Sequence, residues 1–190
     1  QINKCNLDKT NYLSCNKSNK VSTVIIPKYC EVKGIWNQDL SFANLDENIL
    51  GNCCQFTSLF PKYNIPIEVA TKEKLAYYNC QFKKIGDNLE INCDVNLPLT
   101  IVTIGKNYFS NYIMKKQHGN GFYLEYHDRP HYHQPLNEKA SGFIILGKRI
   151  NQELYHLTGF RIPYGYGIYM PKGVLHNDCC LTGDYLVIYS

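Results

Sequence analysis

The second half of the chain is a succession of short apolar or aromatic runs, each stopped by glycine or proline. The run 99–104 (LTIVTI) ends at Gly105, and runs at 143–146, 154–157, 168–170 and 185–189 follow. Such runs are too short for ordinary helices, and their β-branched and aromatic residues suit a pleated, half-buried surface. Many short strands at even spacing predict an all-β sandwich or barrel. Runs 108–114 and 122–126 are read as two more strands, separated by His118-Gly119-Asn120-Gly121, a strong turn signal.

The first half is more mixed. Residues 24–26 and 32–36 read as strands, the first ended by Pro27. Residues 41–60 are the best helical stretch: Ile49, Leu50, Cys53, Cys54, Leu59 and Phe60 recur at roughly helical spacing, and Asp46-Glu47 stand where a first turn favours acids. Residues 78–85 and 89–95, joined through Gly86-Asp87-Asn88, read as a hairpin. Near residue 95 the cysteines thin out and the histidines begin. The expected organisation is therefore an N-terminal cysteine-rich extension over 1–95, with one helix, packed on or extending a β-domain over 96–190.

Composition limits the function classes. A net charge of +4 over 190 residues, with scattered lysines, is a solvated surface rather than a nucleic-acid footprint. No run approaches the ~18 apolar residues of a membrane span, so neither nucleic acid nor membrane is expected as a partner. Nine cysteines without a C-x-x-C spacing argue against a zinc ribbon. Buried thiols in a reducing, intracellular compartment are slightly favoured over disulfides in a secreted chain, with which the single sequon Asn16-Lys17-Ser18 would be compatible.

All six histidines follow residue 117. On a strand, residues two apart share a face, so His131 and His133 project together and one metal ion could take both imidazoles. Glu138, past Pro135, could add a carboxylate, and His176 could come from another strand. Two or three histidines plus a carboxylate hold Fe, Mn, Ni or Zn as one divalent ion and leave positions open for substrate. Tyr132 and His127 are the candidates for a general base.

The spacing resembles the cupin superfamily, whose motifs read G-x5-H-x-H-x3–4-E-x6-G and G-x5-P-x-G-x2-H-x3-N. The second fits from Gly165 through Pro171 and Gly173 to His176, with Cys180 where Asn is usual. The first fits as His131-x-His133-x4-Glu138, with Glu125 in place of its opening glycine and Gly147 two residues late. A longer hairpin would keep Glu138 on the facing that strict spacing gives to Ala140. The resemblance covers about residues 95–190. It implies a jelly roll, or double-stranded β-helix, with a metal held by His131, His133, Glu138 and His176. It also implies a homodimer, and isomerase, epimerase or dioxygenase chemistry on a small polar molecule such as a sugar or sugar acid. A non-catalytic ligand-binding or structural cupin is the alternative. Arg129, Lys148, Arg149 and Arg161 flank the motifs and are candidates to pair with a carboxylate or phosphate of the substrate.

Overall fold

The computed structural model describes residues 23–37, 55–58, 62–115 and 124–189. They form two six-stranded sheets. The first runs β11 (Leu175–Asn177), β8 (Ile144–Arg149), β9 (Leu154–Arg161), β1 (Cys30–Asn37), β2 (Gln55–Ser58), with β3 (Ile67–Val69) also on β9. The second runs β4 (Gln81–Lys84), β10 (Tyr166–Met170), β6 (His131–Pro135), β12 (Leu181–Ile188), β5 (Leu99–Ile104), with β7 (Ser141–Gly142) on β12. All pairings are antiparallel except β3 against β9.

One apolar core joins the sheets. Ile144, Leu146 and Phe160 of the first pack with Ile168, Met170 and Val187 of the second. Each such side chain contributes ~1.5–3 kcal/mol on burial. Alternation along the strands makes this possible: β5 buries every second residue in part and exposes Leu99 and Ile101 on its other face. Strands from the first half of the chain lie in both sheets, β1, β2 and β3 in one and β4 in the other. The first sheet carries a second cluster on its other face, where Val32, Tyr155, Leu157 and Leu175 meet Leu124.

Several local expectations are corrected. Residues 24–26 are not a strand; Val24, Ile25 and Ile26 are exposed, and Ile25 N–H donates to the Glu73 carbonyl instead. Of the expected helix over 41–60, residues 55–58 are β2, paired with β1, and the rest lies outside the described residues. The helix that is present, α1 (Lys72–Tyr77), starts at Thr71, whose side chain accepts from Lys74 N–H, and buries Leu75.

The expected hairpin does not form. Asp87 closes a tight turn back on Lys84, β4 pairs with β10, and residues 88–98 leave the sheet. Residues 108–114 are not a strand: Phe109–Ile113 form a π-helical turn, in which Met114 N–H donates i→i+5 to the Phe109 carbonyl and Ile113 is buried. Of the expected strand over 122–126, residues 124–126 are described, and Glu125 makes an isolated bridge to His176.

Gly142 shows how tightly the second sheet is closed. Its φ is +87°, and a Cβ there would stand 2.1 Å from the Cys180 carbonyl oxygen. Gly142→Ala is expected to destabilise the fold by about 2–3 kcal/mol, read as a lower urea midpoint at unchanged m-value.

Candidate metal centre

Four side chains from three segments meet between the sheets. Glu125 and His176 form a hydrogen-bonded antiparallel pair, with backbone N–H···O distances of 2.9 and 2.8 Å. Directly opposed residues share a face, and His127, two beyond Glu125, shares it too. This segment extends the β11 edge of the first sheet. His131 comes from β6 in the second sheet, with Met170 as its cross-strand neighbour. His127, His131 and His176 each offer a ring nitrogen, and these atoms all lie within 4.8 Å of one another. His127 stacks on His131 with ring centroids 3.9 Å apart, and both rings lie about 5 Å from His176 (5.2 and 5.1 Å).

Glu125 places its carboxylate among these rings. One oxygen is 3.4 Å from His127 Nε2 and the other 3.6 Å from His176 Nε2. All four side chains are buried. His176 Nδ1–H donates to the Val174 carbonyl at 3.0 Å, which fixes the tautomer and leaves the Nε2 lone pair for the centre. Burial, with neighbouring imidazoles adding to it, pushes His131 down to about 2. Burial likewise holds His176 down to about 4, so both rings are neutral at pH 7.

Beside the centre, His133 Nε2 lies 2.9 Å from Asp178 Oδ2. Burial alone would raise the Asp178 carboxyl, but the hydrogen bond from His133 and the nearby imidazoles outweigh it and hold it well below the usual carboxylate range. A cavity of about 440 Å³ reaches Glu125, His127, His131, His133 and Asp178. Cys179 also lines it, and burial pushes that thiol up, away from reactivity. The five described cysteines form no disulfide.

The sequence-predicted residues are thus distributed as follows. His131 and His176 lie in the converging cluster, and His127, expected as a base, is its third imidazole. His133 shares the face of His131 but turns to Asp178. Glu138 is exposed in the turn after β6, outside the converging cluster. β6 stops at Pro135, and Asn137 ties the turn to Asp184 and to Lys139 N–H, so no longer hairpin carries Glu138 inward.

Tyr132 projects from the opposite face of β6. Its ring covers Gly167, where a Cβ would meet the hydroxyl at 2.2 Å, and that hydroxyl donates to Gln134. It cannot serve as a base at the imidazoles. His156 lies elsewhere, its Nδ1 sharing a hydrogen bond with the Tyr77 hydroxyl at 2.7 Å and its ring stacked on Tyr29. The flanking cations are also placed elsewhere. Arg129 lies 3.6 Å from Asp94, Lys148 sits over the Tyr77 ring, Arg149 donates to the Asn151 carbonyl and Arg161 is exposed.

Glu125 is the residue that sequence reasoning missed. Its signal was present: Gly119-x5-Glu125-x-His127-x3-His131 has the spacing G-x5-H-x-H-x3-E with acid and first imidazole exchanged. Glu125→Ala is therefore expected to lower metal content sharply, whereas Glu138→Ala leaves it unchanged; elemental analysis of the two variants separates them. Comparison with protein-family models, with curated proteins and with solved structures returns no match.

Proposed function

We propose that this chain is a metal-dependent enzyme of cupin type, acting on a small molecule held in the cavity beside His127 and His131. The convergence of three buried imidazoles from two sheets carries this reading. The residues fit a metal. Both ring nitrogens of His127 and Nε2 of His176 are buried without a hydrogen-bond partner. An unpaired buried polar atom costs ~1–3 kcal/mol, and an ion taking one lone pair from each ring removes that cost at the ligating nitrogens. Three imidazoles and the Glu125 carboxylate suit a divalent Fe, Mn, Ni or Zn ion.

Such an ion would supply Lewis-acid polarisation of a substrate oxygen. The protein's own groups do the rest. The Val174 carbonyl orients His176, and the bridge to His176 orients Glu125. Asp178 holds a proton on His133 Nε2 at the cavity wall. The apolar residues of the cavity wall, Val102, Ile104 and Val187, limit water beside the imidazoles. Two facing sheets with the site between them, the uninterrupted Gly165-to-His176 motif and the exchanged first motif support the cupin assignment.

Elemental analysis of untagged protein tests the proposal. Close to one transition-metal ion per chain is expected, lost in His127→Ala and in His131→Ala. Protein that takes up no metal from a buffered supply, with stability unchanged on adding it, would remove the basis for a metal-dependent reaction.

A further inference from the structure

We infer that the molecule taken by this site is uncharged and largely apolar, a ring-bearing compound that presents hydroxyl or carbonyl oxygen to the imidazoles, and not a sugar, sugar acid or phosphate ester. This rests on the metal-centre reading for the position of the polar end, and on the cavity wall for the rest.

Away from the imidazoles the wall is Val102 and Ile104 of β5, Val187 of β12, Tyr108 and Tyr189. Thr103 lies among them, but its hydroxyl already donates to Asp184 Oδ1 at 2.7 Å. Among the described residues lining the cavity there is no lysine or arginine, and the two acidic side chains are Glu125 and Asp178. The flanking cations that could have met an anionic tail are engaged or exposed elsewhere.

A carboxylate or phosphate tail would lose its hydration here, meet no lysine or arginine among the described residues of the wall and face two carboxylates. A sugar would press hydroxyls against Val102, Ile104 and Val187, where they find no partner. A ring gains contact with that same wall, and the tyrosines suit its faces and edges. A cavity of about 440 Å³ lies toward the small end of ligand sites (~300–1,000 Å³) and suits a compound of one or two rings.

The test uses three probes, 4-methylcatechol, 3,4-dihydroxybenzoate and glucose. Each is titrated calorimetrically into full-length protein, metal-free and loaded with zinc. The first two share a head group and differ in the charge of the tail. The neutral catechol is expected to bind at least tenfold more tightly than either of the others, in both forms. Comparable or tighter binding of the benzoate or of glucose would overturn the inference, as would no binding of any probe up to millimolar concentration in both forms.

The metal-free comparison separates this result from the metal reading. A catechol preference in protein that takes up no zinc leaves the apolar-ligand inference standing while the metal assignment falls. Zinc uptake without the preference does the reverse. Val102→Lys, with folding checked by circular dichroism, is expected to shrink the preference for catechol over the benzoate by at least tenfold, and an unchanged preference in the folded variant would overturn the inference. If that variant does not fold, the unmodified protein with the matched probes decides.

Discussion

Replacing His176 with alanine is expected to weaken metal uptake by on the order of 100-fold or more, measured by competition with a chelator of known affinity. His176 is oriented before any ion arrives. Its Nδ1–H is held by the Val174 carbonyl, and its backbone is locked to Glu125 in both directions. Among the described residues nothing nearby replaces the lost nitrogen: His133, the other described imidazole lining the cavity, is turned to Asp178. His131→Ala is expected to do the same from the opposite sheet. His156→Ala, remote from the centre and stacked on Tyr29, controls for loss of a buried imidazole and should keep its metal. Equal affinity in His176→Ala and the unmodified protein would show that the ion, if bound, sits elsewhere.

The second large effect is acid lability of the metal-free protein. An imidazole in an unfolded chain takes up a proton near pH 6.5. Burial holds His176 down to about 4 and His131 to about 2 in the folded protein. A lowered folded value means that the unfolded state binds the proton more readily, so stability falls as pH falls. The contribution is complete above about pH 6.5 and is lost through the window from 6.5 toward 4 for His176, and further down for His131. His176 alone accounts for roughly 3 kcal/mol, a large share of the ~5–15 kcal/mol of a typical domain.

Asp178 acts in the same direction in a lower window, because its held-down carboxylate loses its stabilising contacts only once protonated. Urea midpoints measured from pH 8 to pH 4 should therefore decline steeply below pH 6.5, and His176→Gln should flatten part of that decline. Bound metal should shift the decline to lower pH, since it competes with protons for the same nitrogens. A level profile between pH 7 and pH 4.5 in metal-free protein would contradict the burial of these rings.

Much of the fold was legible in local sequence. The β-branched run Leu99–Ile104 is β5, and the runs at 143–146, 154–157, 168–170 and 185–189 each mark a strand of the two sheets. These segments declare themselves because period-two burial and β-branched packing are local properties. The misread segments share a different cause. Residues 108–114 and 89–95 have strand-like composition, yet one forms a π-helical turn and the other leaves the sheet. Their state depended on which neighbour was available, as it did for β4, whose partner is β10 rather than the next run in sequence.

The sequence by itself determined the chemistry at hand. It supplied imidazoles at His127, His131 and His176, a Pro171-x-Gly173 turn before the last of them, and mainly β architecture. Only the tertiary structure decided which donors meet. His131 and His133 have identical facing on one strand, and spacing cannot distinguish them. Cross-strand bridging of Glu125 to His176 brings Glu125 and His127 inward, while a turn anchored on Asn137 carries Glu138 out to solvent. The physical reason is that strand parity fixes the direction of a side chain, whereas distance across a sandwich is fixed by which backbones pair and how the two sheets pack on a common core.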